Sequence, residues 1–318
     1  MVEPYVTSSI VYGSLFGLMA IGLTLTYLTT KVPNFAYGSF VTVGLYTTFS
    51  MYRLYGFPPY WSVPFAFLIG GSVSVAMYLG ILRTLSRRGA SLVALMIATL
   101  ALDIVFVGIF GIYSDYLTNS YGIIDSKFFF QLRTDFSFIG VPGIVVVAPI
   151  SLAVITVLLF GLLTATKFGI AMRASIENPS LARILGINVE ITYIVAWFIA
   201  GGFASMAGAY YLLWLPGGTG VGSQLIVEIF AASVLGGLAS IYGATLGGVI
   251  IGASEILLTT EGINILGTWF SIYQKGIPLI IMVVTLLALP KGLVSLNGRR
   301  TTRIARSVIA FIQKHLPP

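Results

Sequence analysis

The sequence predicts an all-α fold, a polytopic membrane helical bundle of about 8–10 membrane segments. Three observations carry this. Between residues 4 and 290 the chain is almost free of charge and falls into apolar blocks divided by short polar breaks. Over its 318 residues 57% are hydrophobic and 8% charged, with a mean hydropathy of +0.99, and a soluble domain of this size cannot keep such a surface in water. The basic residues, finally, gather in a few of the breaks. A spanning chain must satisfy its backbone polar groups within the segment, so the blocks are read as helices.

The first block, Pro4 to Thr30, lies between Glu3 and Lys31. It exceeds the roughly 20 residues that one crossing needs at about 1.5 Å per residue. Its start carries no cluster of Lys or Arg, and Leu28-Thr29-Thr30-Lys31 is unlike a small-residue cleavage site, so a retained span is expected. Spans are placed at 5–28, 35–52, 61–82, 92–113, 144–165, 191–214, 224–259 and 269–289. The breaks then set the orientation. Lys31, the loop with Arg83, Arg87 and Arg88, the loop with Lys167, Arg173 and Arg183, and the tail with Lys291, Arg299, Arg300, Arg303, Arg306 and Lys314 hold thirteen of the seventeen basic residues. Arg53, Lys127 and Arg133 fall on the other side. The positive-inside rule therefore predicts the N-terminus outside and the C-terminus inside, and it explains the net charge of +7 without a nucleic-acid partner.

Parity singles out 224–259. Both 215–223 and 260–268 are expected outside, so the segment between them crosses an even number of times. Two short crossings or a re-entrant hairpin, bent within 236–243, satisfy this; a single tilted span would break the charge asymmetry. An inverted repeat within the bundle is a further expectation. The outer connection 114–143 contains a strand-like stretch, 127–132, suited to a short external hairpin. Aromatic clusters at Tyr52/Tyr55/Tyr60/Trp61, Tyr113/Tyr116, Tyr210/Tyr211/Trp214 and Trp269/Tyr273 read as an interfacial belt.

Composition closes off several chemistries. There is no cysteine, and the one histidine, His315, is near the end, so disulfides, thiol catalysis and a His-based metal site or triad are not expected. No phosphate-binding G-x-x-x-x-G-K-[ST] occurs; the run Gly217-Gly218-Thr219-Gly220-Val221-Gly222 lacks the lysine and reads as a flexible outer loop. The chain is not expected to be an enzyme, to need a cofactor, or to hydrolyse ATP alone. Small residues mark the core instead: Gly243, Gly247, Gly248 and Gly252 form two overlapping ladders, and Ala204, Ser205, Gly208 and Ala209 another. They suit tight helix packing, and Gly38 and Gly236-Gly237 also suit helices interrupted around a pathway.

Four ionisable residues fall inside spans: Asp103, Glu228, Glu255 and Lys275. Charge in hydrocarbon costs about 3 kcal/mol or more, so each needs a partner or a wet cavity. Lys275 pairing with one of the glutamates is one account, and an outward-facing vestibule lined by all three is another. With Asn34, Gly38, Gly236 and Gly237, these four are the candidate pathway residues.

The break at 167–190 carries the most specific pattern. A short helix is predicted at about 169–177, then a second that Asn178 N-caps, Pro179 opens and Gly186 stops. Met172, Ile184 and Leu185 are expected on exposed faces, which suits a socket in a soluble partner better than a solvated connector. Gly169, Arg173, Glu177, Asn178, Pro179, Leu181, Ile184, Leu185 and Gly186 are the candidate coupling residues.

This segment, Val32-Pro33-Asn34-Phe35-Ala36-Tyr37-Gly38, Leu235-Gly236-Gly237-Leu238-Ala239-Ser240-Ile241-Tyr242-Gly243-Ala244 and Pro290-Lys291-Gly292-Leu293 together resemble the branched-chain amino-acid ABC permeases of prokaryotes, LivH type. The resemblance covers about residues 5–294, with Tyr37 where the family usually has histidine. It implies a permease domain, 1–294, in a prokaryotic cell membrane, forming half of a pathway for a branched-chain or other small amino acid. The implied partners are a second, LivM-like permease subunit, two cytoplasmic ATPase subunits, an extracytoplasmic solute-binding protein and membrane lipids. Relatives of this pattern also move urea and short amides. The alternative class is a self-sufficient secondary transporter or channel, in which the intramembrane acids relay protons or cations. Beyond the resemblance, the basic cytoplasmic tail 295–318 presents Ile304, Val308, Phe311 and Ile312 on one helical face, suiting either a helix on the inner leaflet or a disordered tail.

Overall fold

The structure is a computed structural model that describes residues 3–123, 132, 135–138 and 140–294. The tail 295–318 and residues 127–131 of the strand-like stretch lie outside the described residues. Among these residues the chain is helical almost throughout: α1 (Pro4–Thr30), α2 (Tyr37–Tyr55), α3 (Ser62–Met77), α4 (Arg83–Arg87), α5 (Leu92–Tyr121), α6 (Ile144–Ala165), α7 (Lys167–Glu177), α8 (Pro179–Ile184), α9 (Val189–Trp214), α10 (Val221–Gly236), α11 (Ile241–Leu266) and α12 (Gly276–Ala288). A π-turn, Tyr78–Leu82, carries α3 into α4, so Pro59–Arg87 is one continuous run. Among the described residues six segments are long and apolar enough to cross a bilayer: α1, Pro59–Arg87, α5, α6, α9 and α11. The shorter α2, α10 and α12 pack among them. This is a multi-pass membrane bundle.

The even crossing at 224–259 is two helices. The chain leaves α10 at Gly237, whose φ of +102° lies in a region that L side chains rarely adopt, and Ser240 then caps α11, its hydroxyl accepting the Gly243 N–H at 3.2 Å. Gly236 lies against Gly243 and Gly247 against Ala232, so α10 and α11 run antiparallel. The bounds are wider than expected: the pair spans 221–266, and 260–268 is largely the last turns of α11 instead of a loop.

The ladders set how the bundle is built. Gly13 and Gly17 of α1 meet Gly252 and Gly248 of α11, backbone on backbone, and these helices are antiparallel. Gly70 and Ser74 of α3 meet Gly201 and Trp197 of α9 in the same sense. α2 runs parallel to α9, with Tyr37 on Ala200 and Val41 on Gly208, while α1 runs parallel to α10, where the Ser233 hydroxyl donates to Ala20 O at 3.2 Å. The triplet α1–α2–α3 therefore makes to α9 the contacts that α9–α10–α11 makes to α1. The two triplets are inverted copies, as in many transporters. Gly38 of α2 and Gly222 of α10 touch reciprocally, each where the other's Cβ would be. Without water to drive burial inside a bilayer, such close backbone approach supplies the packing energy.

Several expectations are corrected. α5 continues to Tyr121, capped at Gly122 (φ +69°), so the outer connection begins there and not at 114. The hairpin expected from 127–132 falls almost wholly outside the described residues; in the same connection the described strands Ser137–Phe138 and Val141–Pro142 pair antiparallel. The last span starts in a 3-10 helix, Thr268–Tyr273, and α12 begins only at Gly276, which leaves Lys275 just ahead of it. The glycine run after α9 is not a free loop: Gly217 packs on Leu45 and Gly222 on Gly38. Tyr210 is no belt residue, being buried with its hydroxyl 2.9 Å from that of Ser151. Gly38 interrupts no helix; the break precedes it, at Lys31 (φ +56°) to Ala36.

Candidate functional site

Two regions gather the polar groups. The first is a cavity of about 290 Å³ at the end of the bundle where α1 and α12 begin and α9 ends. Tyr12 of α1, Tyr211 of α9, Gln224 and Glu228 of α10, Glu255 of α11, and Gln274 with Lys275 ahead of α12 line it. The structure thus brings together Glu228, Glu255 and Lys275, as the vestibule expectation requires. Both glutamates are only 2% exposed. Lys275 pairs with neither; its ammonium donates to Gln224 Oε1 at 3.2 Å. Gln274 Nε2 donates to Glu255 Oε1 at 2.9 Å, and Glu255 Oε2 is buried without a partner. The sequence reading missed Tyr12, Tyr211, Gln224 and Gln274. The two carboxamides were the visible signal, each within four residues of a singled-out charge in otherwise apolar sequence.

The remaining pathway candidates sit elsewhere. Asp103 of α5 is half-buried and accepts from the Ser39 hydroxyl at 2.6 Å, tying α5 to α2. Beside it, the Thr99 hydroxyl accepts from Phe35 N–H at 3.2 Å. Asn34 is buried and shapes the turn into α2, its Oδ1 accepting Ala36 N–H at 3.1 Å while Nδ2 has no partner. Tyr37, in place of the usual histidine, donates its hydroxyl to Ala200 O at 3.2 Å and joins α2 to α9. Gly236 and Gly237 lie against the Lys291–Gly292 turn, far along α10 from the cavity.

The second region is α7–α8. The Thr166 hydroxyl accepts Gly169 N–H at 3.1 Å and opens α7; a side chain at Gly169 would strike the carbonyls of Leu162 and Leu163. Asn178 caps α8 by accepting Leu181 N–H at 3.0 Å, Pro179 is its first residue, and Gly186 (φ +82°) ends the segment. Met172 is corrected: it is buried in the core, since α7 lays one face on the bundle and Tyr193 of α9 donates its hydroxyl to Ser175 O at 3.0 Å. Arg173 and Glu177 are exposed and border a cavity of about 420 Å³, whose far wall is the α10–α11 bend at Ala239–Tyr242. On α8 the apolar residues face outward: Leu181, Ile184 and Leu185 are 52%, 81% and 70% exposed. Arg83 and Arg87 both pair with Glu190 in the first turn of α9, the latter at 3.0 Å, so α4 is held to the foot of α9. Glu190 was also missed, being read only as part of a polar break.

Inverted helical triplets with ionisable groups gathered between them define a membrane transport protein. Comparison with known proteins gives the family: the model described as "Branched-chain amino acid transport system / permease component" matches residues 5–286, and the chain belongs to that family. It is 44% identical over 296 residues to the "Probable branched-chain amino acid transport permease protein LivH" of Methanocaldococcus jannaschii, covering 93% of each chain. It is 26% identical to the "High-affinity branched-chain amino acid transport system permease protein BraD" of Pseudomonas aeruginosa, covering 88% of this chain and 92% of that one. The "Ribose import permease protein RbsC" of Bacillus subtilis is 31% identical over 192 residues, 59% of this chain and 58% of its own. No solved structure matches.

Proposed function

We propose that the chain forms half of the translocation pathway of an ABC importer for a branched-chain or other small amino acid, in a prokaryotic cell membrane with the N-terminus outside. Its partners in this reading are a second, LivM-like permease subunit, two cytoplasmic ATPase subunits and an extracytoplasmic solute-binding protein. The observation that carries the reading is α7–α8. One face of α7 is seated on the bundle opposite the α10–α11 bend, while α8 leaves Ile184 and Leu185 uncovered. A partner that grips α8 pushes on α7, which faces the bend of the pathway helices across the cavity that both line. The relatives named for amino-acid transport match along nearly the whole chain, the ribose permease only in part, which favours an amino acid.

The test is uptake of radiolabelled leucine into vesicles that hold the chain with its second permease subunit and ATPases, supplied with the solute-binding protein. Uptake is expected to stop without ATP and to survive collapse of the proton gradient. Uptake that follows the gradient favours a secondary transporter, for which Glu228 and Glu255 are the acids to act as relays. The chain purified alone is expected to show no ATP hydrolysis, because it has no phosphate-cradling loop.

Orientation is tested separately. The chain has no cysteine, so single cysteines report cleanly. Exposed Ser86 and Ala239, replaced by cysteine, are expected to react only with reagent on the cytoplasmic side, and Thr268 only from outside. Labelling of Ser86 from outside reverses the assignment.

A further inference from the structure

Glu228 and Glu255 border one cavity with no ion pair to either, and nothing in the packing of the bundle calls for them. The position that corresponds to Glu228 in the first triplet, counted from Gly38 instead of Gly222, is Gly44, and it simply packs on the Ser205 backbone. Two neighbouring carboxylates buried without a cation are costly through both desolvation and mutual repulsion. The unpartnered Glu255 Oε2 and the Glu228 carboxylate, which accepts no hydrogen bond among the described residues, leave acceptors open for donors that the chain does not supply. Lys275, the cation that faces them, is held at the mouth by Gln224. Val221, Leu225 and Ile272 complete the walls and are apolar.

We propose that this cavity binds the primary ammonium group of the solute, with the two carboxylates taking its N–H donors. Lys275 at the mouth takes a carboxylate, and the Val221, Leu225 and Ile272 wall takes a small apolar side chain. A zwitterion with an aliphatic side chain satisfies all three parts. The volume of about 290 Å³ has room for a solute of roughly ten non-hydrogen atoms, at about 30 Å³ for each water-sized group. The assignment of the ammonium to the carboxylates stands on geometry. Only its placement on the transport route rests on the permease reading.

The test uses the full chain in lipid nanodiscs with Ser271→Cys as reporter, since Ser271 lines the cavity and is its single thiol. The rate of N-ethylmaleimide labelling is measured against leucine, 3-methylbutylamine (ammonium only), 4-methylpentanoate (carboxylate only), NaCl and KCl. Leucine and 3-methylbutylamine are expected to slow labelling, and 4-methylpentanoate is not. Glu228→Gln and Glu255→Gln, nearly isosteric, are each expected to weaken protection by the amine about tenfold or more. Lys275→Met is expected to weaken protection by leucine and leave that by the amine unchanged. If either Gln variant fails to fold, the contrast between amine and acid on the Ser271→Cys background, together with Lys275→Met, still decides. Equal protection by amine and acid, no protection by the amine, or protection by NaCl or KCl as strong as by the amine overturns the proposal. ATP-driven leucine uptake without amine protection removes this site and leaves the permease reading standing; amine protection without ATP-driven uptake does the reverse.

Discussion

Gly248→Leu is expected to remove most of the folded protein from the membrane fraction. A Cβ at Gly248 meets the Gly17 backbone and Phe16 O, and none of these can swing aside as a side-chain tip does. The new side chain must push α1 and α11 apart, and overpacking of this kind costs about 1–3 kcal/mol even where neighbours can adjust. The cost is compounded because α1 also carries Gly22 against α9 and the Ala20 carbonyl that Ser233 of α10 uses. In a bilayer the separated faces gain lipid contacts nearly as good as those they lose, so close packing is the term that holds them. Gly108→Leu on α5 is the control, because no heavy atom outside the local helix lies within 4 Å of a Cβ there. Membrane-fraction yield and thermal melting of the solubilised protein measure both variants. Equal loss in the two would show that leucine harms any helix here and that the glycine ladder is not the cause.

Leu185→Asp is expected to abolish uptake while leaving that yield and melting unchanged. Leu185 is 70% exposed and lies outside every spanning helix, so its replacement removes little packing within the chain. On the surface assigned to the ATPase, a buried aspartate costs about 2 kcal/mol or more at an interface hot spot. Gly186→Val attacks the same surface by another route, forcing a β-branched residue to φ +82° at about 1–2 kcal/mol, which misdirects the end of α8. Both variants are expected either to lose co-purification with the ATPase or to keep it with hydrolysis no longer tied to uptake. Exposed connectors absorb such changes within about 0.5 kcal/mol. Normal uptake by both would therefore reduce α8 to a connector.

What the sequence made legible was local. Asn178, Pro179 and Gly186 announce a short helix because capping and positive φ are decided by a few neighbouring residues. Gly236-Gly237 announced a bend for the same reason, helped by parity of charge. What stayed hidden depended on which helices meet. The partner of Asp103 is Ser39, one helix away in space and 64 positions away in sequence. Met172 looked like an exposed apolar residue because nothing local says that α7 lies down on the bundle. The polar end of α5, with Ser114, Asp115, Thr118 and Asn119, read as a loop, although a helix satisfies its own backbone whether or not lipid surrounds it. The glycines at 217–222 read as slack, whereas Gly217 and Gly222 serve close approach. In the acidic cavity, the charges were named from sequence but the tyrosines and carboxamides around them were not, since only the fold collects residues from α1, α9, α10, α11 and the start of α12.

Two inverted copies can trade conformations, and that trade turns an opening on one face of the membrane into an opening on the other. Gly38 and Gly222 touch reciprocally, so their contact lies on the axis of exchange and keeps the same partners whichever copy holds which shape. Were the copies identical in sequence, the two openings would have equal free energy and neither would be preferred at rest. The preference must therefore come from what only one copy has. Glu228 and Glu255 belong to the second copy, and α7–α8 enters the chain just ahead of it. Whatever fills the acidic cavity and whatever grips α8 thus act on opposite pans of one balance, without any need for a direct wire between them.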